Sequence, residues 1–202
     1  MTMEKIAQTE APIHELIARR WSPRAIDPDR AVPHDHLLSL LEAARWAPSC
    51  FGDEPWHFLV CDREADRGAW DAALSCLTEK NQSWARRAPL LIVAVAAAAF
   101  HATGKPNRWG QYDTGAASEN LCLQATALGL AVHQMGGFDV DRARRSFGIP
   151  EEYTPMAFIA VGFPGDPAVL QESLRERELA ERERRPLAET CFAGRWGQGL
   201  GD

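Results

Sequence analysis

The 202-residue chain has no apolar run of the roughly 20 residues that a membrane-spanning helix requires; the longest, Pro89 to Phe100, is about half that length. Basic character is also scarce. With 22 Lys and Arg against 28 Asp and Glu the net charge is −6, so there is no positive footprint to attract a nucleic-acid backbone or an anionic membrane. The five cysteines, Cys50, Cys61, Cys76, Cys122 and Cys191, form no C-x-x-C pair, which argues against a disulfide framework and a zinc site and for reduced, mostly buried thiols. No G-x-G-x-x-G follows the first strand and no P-loop occurs, so a bound phosphate must be held by other means. No Ser/His/Asp set is readable, and His34-x-His36 lacks a carboxylate or cysteine at ligand spacing. The first sixteen residues contain no apolar stretch of the export type, and the expected location is the cytoplasm.

What is present fits one sizeable domain: 46% of residues are apolar and 25% charged, ordinary globular values. A short helix is expected over Ile13–Arg20, ending where Pro23 disfavours helix at Ser22. Leu37, Leu40, Leu41 and Ala44 recur at helical spacing, and Pro48 closes the pattern. Trp56–Cys61 reads as a short strand and Arg63–Leu77 as helix. Ala88–Ala96, apolar on both alternate faces, reads as a central strand covered on two sides. Asp113 is a good N-cap for a long helix, Thr114–Leu130, whose nearly all-apolar surface calls for burial in the core or against a second subunit. Then come Val132–Phe138 with a glycine turn, a basic helix to Phe147, and a last strand, Pro155–Gly162. From Gln171 to Arg185 Glu and Arg alternate with few apolar anchors, so this segment is expected to lie over a surface or embrace a partner. On the residues alone the chain is a single domain of α/β type.

Two arginine clusters, Arg19/Arg20/Arg24 and Arg182/Arg184/Arg185, can serve as planar bidentate forks for phosphate oxygens, or simply as solvated surface charge. Their setting favours the first. The order R-W-S-P-R (Arg20–Arg24), A-P-S-C-F-G-D-E-P-W-H-F (Ala47–Phe58), Y-D-T-G-A-A-S-E-N-L-C-L-Q-A-T-A-L-G-L (Tyr112–Leu130) and R-R-P-L (Arg184–Leu187) resembles the nitroreductase family over about nine tenths of the chain.

The resemblance implies an α+β layered fold with a mostly antiparallel central sheet flanked by helices. It also implies a long buried helix at the interface of a homodimer, with a 12–165 core and a 166–202 arm packing on the partner. It implies FMN as cofactor, held by Arg20, Trp21, Ser22 and Arg24 at the phosphate and ribityl chain. Pro48, Ser49, Cys50 and Phe51 are implied to cover the ring from the partner subunit, and Arg182 and Arg184 to close on the phosphate. Gln134, Met135, Gly136 and Gly137 are implied to approach the flavin edge, where a residue without a Cβ lets the backbone come close, and Asn81 to touch the flavin. Asn81 reads equally well as a turn asparagine, and Trp109 and Tyr112 as pocket or core aromatics. No catalytic acid or base and no metal ligand is implied, since the cofactor carries the chemistry: electrons pass from NAD(P)H to a small organic acceptor such as a nitroaromatic or quinone, by a ping-pong course. The alternatives are a flavin-fragmenting or dehalogenating relative, or a flavin-binding protein with little turnover. The sequence departs from the family pattern at Gly52 and Glu54, where Asn and Gln are usual, so an amide able to donate and accept is lost twice.

Overall fold

The computed structural model describes residues 4–200. Seven helices among these residues, α1 (Glu15–Arg19), α2 (His34–Arg45), α3 (Arg67–Cys76), α4 (Glu79–Ala85), α5 (Gly110–Ala127), α6 (Val140–Phe147) and α7 (Glu172–Leu179), surround four strands. The strands are β1 (Trp56–Asp62), β2 (Leu90–Ala97), β3 (Ala131–Met135) and β4 (Tyr153–Gly162), in the spatial order β1-β2-β4-β3. Every pairing is antiparallel. The chain is therefore α+β. The α/β reading from alternation alone fails because β2, apolar on both faces, is buried between two helical layers without parallel neighbours.

The period of two along β2 divides the core. Leu91, Val93 and Val95 face one layer together with Phe158 and Ala160 of β4, Trp70 of α3, Trp84 of α4 and Ala143 of α6. Leu90, Ile92 and Ala94 face the other, with Ile159, Val161, Leu37 and Leu40 of α2, and Leu121 and Ala125 of α5. Each fully buried Leu, Ile or Phe contributes about 1.5–3 kcal/mol relative to exposure, so the two clusters together fix both helical layers. Pro155 lies in the interior strand β4, where a proline removes a ladder donor. The register resolves this: Ala94 faces Ala157 and Val95 faces Pro155, so Met156 is bulged out, and β3 pairs with β4 only from Phe158 onward.

The long helix differs from its sequence reading in two ways. It begins at Gly110 rather than Thr114, because the preceding loop folds onto the end of β2 and a Cβ at Gly110 would sit 2.2 Å from the Ala97 carbonyl oxygen. Asp113 is consequently inside the first turn and caps something else. The helix ends at Ala127, where Gly129 takes a φ of 71° and Leu130 N–H donates to Ala125 O at 2.8 Å, the bond of a Schellman cap. Of the two placements read from its apolar surface, the core takes one side of α5 only. Ala117, Leu121, Cys122 and Ala125 enter the core, whereas Tyr112 and Gly115 are exposed and Ala116, Glu119 and Leu123 half-exposed.

The segment beyond Gly165 anchors on its own chain first. Leu170, Leu174 and Glu178 are buried against the core, while nearly all of residues 183–200 are exposed.

Candidate functional site

The basic segment after α1 meets β3, α5 and the C-terminal segment at one place. Arg20 Nε contacts Glu119 Oε1 of α5 at 2.9 Å, and its Nη1 lies 3.4 Å from Ser22 Oγ. Glu119 also receives a long contact from Gln134 Nε2, at 3.5 Å, and the same amide donates to Cys122 Sγ at 3.3 Å. Burial pushes Glu119 above the usual carboxylate range, opposed by Arg20. Burial likewise raises the Cys122 thiol to about 12, so it is an inert thiol.

His133, next to Gln134 on β3, donates from Nδ1 to the Pro23 carbonyl at 3.0 Å and packs on Trp84 with ring centroids 4.7 Å apart. Burial and then the charge of Arg24 lower its pKa to about 4, so the imidazole is neutral at ordinary pH and adds no positive charge.

From the C-terminal side, Arg182 Nη1 donates to the carbonyls of Lys5 at 2.6 Å and Ala18 at 2.8 Å. Burial first, then Arg20 and Arg184, depress its pKa, so three guanidinium groups lie within electrostatic reach of one another. Burial lowers the pKa of Lys5 as well, the Glu178 carboxylate opposes it, and Arg182 and Arg24 add to the lowering. Five cations thus converge while Glu119 and Glu178 pair with two of them, Arg20 and Arg24. Such a surplus is stable beside an anion with several oxygens, and a phosphate supplies one.

The glycine turn adjoins this cluster through β3. Gln134 and Met135 belong to the strand itself, and Met135 points into the core, which leaves its backbone alone available to a ligand. The two glycines differ. A Cβ on Gly136 would meet nothing within 4 Å, so its face is open, whereas one on Gly137 would come within 2.8 Å of Asn81 Nδ2. Asn81 donates that amide to the Gly137 carbonyl at 3.0 Å, and the Thr78 N–H donates to the same oxygen at 3.0 Å. Asn81 therefore acts on the turn.

The loop Pro48–Phe51 is held at the other end of α5. Asp113 Oδ2 accepts from Cys50 N–H at 2.9 Å, and Ser49 Oγ accepts from Glu54 N–H at 3.0 Å. Phe51, Gly52 and Glu54 all have positive φ, at 57°, 66° and 51°, and Phe51 is 93% exposed. Among the described residues no hydrogen bond or ion pair joins Pro48, Ser49, Cys50 or Phe51 to the basic cluster within one chain. Trp21 stays beside the cluster through Lys5: its ring carries Lys5 Nζ at 4.8 Å and lines a cavity of about 120 Å³ with Glu4, Arg19, Pro23 and Glu178.

The sequence reading missed Lys5, Glu119 and Glu178. Glu178 is the one a pattern signals, since it falls one turn after Leu174, a carboxylate prolonging a short apolar stripe.

The family model for the nitroreductase family matches residues 17–163, and the chain belongs to that family. An uncharacterised 15.4 kDa protein of Mycolicibacterium smegmatis is 38% identical over 153 residues, 71% of this chain and 99% of that protein. A Methanothermobacter thermautotrophicus protein provisionally named NADH dehydrogenase/NAD(P)H nitroreductase is 32% identical, covering 75% and 77%. Among solved structures, an oxidoreductase containing FMN superposes with a TM-score of 0.89 at 36% identity, covering 98% of this chain and all of that one. A Desulfovibrio desulfuricans protein solved in complex with FMN gives 0.70 at 26% identity, covering 93% and 99%.

Proposed function

We propose that the chain is an FMN-dependent oxidoreductase that passes electrons from NAD(P)H to a small organic acceptor, a nitroaromatic, quinone or similar compound. The observation that carries this reading is the concentration of positive charge at Lys5, Arg20, Arg24, Arg182 and Arg184, tied through Glu119 to Gln134 and through the Pro23 carbonyl to His133 on β3, the strand that runs into the open Gly136. The residues fit the cofactor: forked guanidinium donors suit a phosphate, and a glycine with free space over it admits a flat ring against the backbone. Held there by these residues, FMN would supply the hydride-accepting and electron-donating chemistry that no side chain of the protein provides.

The chain's own residues hold and orient. Arg20, Ser22, Arg24 and Arg182 are the phosphate and ribityl grip, with Arg184 delivered by the arm. Backbone N–H groups at Gly136 and Gly137 would meet the polar edge of the ring, in a turn that Asn81 fastens through the Gly137 carbonyl. No side chain is needed as acid or base, and donor and acceptor use the same cleft in turn, the ping-pong course.

The site is completed by a second copy. Leu38, Trp46, Phe51, Trp109 and Tyr112, five large apolar side chains on or flanking α2 and α5 and in the loop between α2 and β1, are exposed in the single chain, and a second copy is the partner proposed to cover them. An isologous contact through this face brings the partner's Pro48–Phe51 loop over the ring, and the exposed arm beyond residue 182 has the reach to embrace it. With no helix among the described residues long and apolar enough to cross a membrane, and with reduced thiols, the proposed setting is the cytoplasm.

The test is direct. Purified protein should be yellow with FMN-type absorption and should oxidise NADH or NADPH when a nitroaromatic or quinone is supplied. A colourless protein that takes up no FMN, or a flavoprotein that turns over with no acceptor, overturns the reading.

A further inference from the structure

Arg24 and Arg20 are both held by carboxylates, but in different ways. Glu119 sits at a half-exposed position and makes a direct 2.9 Å contact with Arg20. Glu178, on α7, has no exposed surface at all. Its Oε1 accepts from the backbone N–H groups of Arg24 at 2.7 Å and Ala25 at 2.9 Å. Its Oε2 accepts no hydrogen bond among the described residues and faces Arg24 Nη1 at 3.7 Å. A side chain needed only to fasten two N–H groups gains nothing from a buried charge, because a neutral amide of the same shape offers the same acceptor without the desolvation cost. The charge acts on two cations, Lys5, whose pKa it raises against the effect of burial, and Arg24, the one within ion-pair distance of Oε2.

We propose that Glu178 is a positioning residue for Arg24: its second oxygen steadies the guanidinium by charge alone and leaves the N–H donors of Arg24 free for the flavin phosphate. The contact at 3.7 Å is close enough to orient the group and too long to occupy its donors. The fastening is reinforced on both sides of the basic segment. Lys5 Nζ donates to the Glu178 carbonyl at 2.9 Å, and Arg182, four residues further on, spans the Lys5 and Ala18 carbonyls. The arm is thereby part of the cofactor grip. This inference rests on the FMN reading above.

The experiment compares FMN with riboflavin, which lacks the phosphate, by quenching of flavin fluorescence on the apoprotein. Four proteins are used: the natural chain, Glu178→Gln, Arg24→Gln and the double variant. Gln at 178 keeps both backbone acceptances through its carbonyl oxygen, and thermal melting verifies the fold. Glu178→Gln is expected to weaken FMN about tenfold, the scale of a charge-assisted contact, and to leave riboflavin within about twofold. In the Arg24→Gln background the same change should alter FMN affinity less than about twofold, the mark of an effect routed through Arg24.

Equal losses for FMN and riboflavin, additive losses in the double variant, unchanged FMN affinity or tighter FMN binding each overturn the role of Glu178. A natural chain that binds FMN no better than riboflavin overturns the phosphate grip itself, and the two failures are told apart by that first measurement.

Discussion

Arg20 donates to Glu119 across 2.9 Å, and meeting a phosphate is for this guanidinium a change of partner that leaves its charge in use. Replacing it by Gln removes a charged hydrogen bond of about 1.5–3 kcal/mol, so FMN dissociation should rise roughly ten- to a hundredfold while the fold persists. Equilibrium dialysis against FMN measures it. His133 supplies a pH dependence with a definite sign. Its pKa in the folded chain is near 4, below the ordinary value of 6.5, so the unfolded chain binds the extra proton first. Stability is fully present above about pH 6.5 and falls by up to about 1.4 kcal/mol per unit as the pH drops toward 4, levelling off below that. Melting curves of His133→Gln should lack this increment, and parallel acid profiles for the two proteins would place the loss on other groups.

At the level of elements, α5 shows what a sequence conveys and what it hides. Its existence was legible, but its end falls at Ala127 rather than Leu130, because Gly129 adopts the left-handed conformation that closes the helix. Its start was not legible, because Gly110 is required by a contact with Ala97, far away in the chain, and Asp113 is drawn from capping to hold Cys50. The two glycines predict different costs. Gly129→Ala meets no neighbour and should lose about 1–2 kcal/mol from the left-handed conformation alone. Gly110→Ala drives a methyl group into the Ala97 carbonyl and should lose more, displacing α5 from β2. Paired thermal melts decide it, and a smaller loss at Gly110 would contradict the close approach. The same division holds within the site. Arg20, Ser22 and Arg24 were legible as a motif; Glu178 could have been found from its place one turn after Leu174, whereas Glu119 carried no local signal, because its role depends on Arg20 arriving from a distant part of the chain.

For the whole molecule, the apolar face of α2 and α5 predicts a species of twice 22.4 kDa in solution. Leu38→Glu with Tyr112→Glu, both exposed in the single chain, should yield a folded monomer that retains flavin poorly; light scattering after gel filtration reads the mass, and an unchanged mass would remove this face as the interface. The antiparallel order of the sheet was implied by the family resemblance and is what the pairing has, whereas β2 by itself, apolar on both faces, is compatible with either arrangement. The arm was legible as charged and unlike the core, but not as a fastening. The bond from Arg24 to Glu178 joins residues 154 positions apart. During synthesis the segment near residue 20 leaves the ribosome long before residue 178 does, and domains gather their contacts from the first-made end. If Glu178 positions Arg24 as proposed, cofactor capture falls at the close of folding, and ribosome-bound chains arrested before α7 should bind FMN more weakly than chains extended past it, which flavin fluorescence on the two stalled complexes measures.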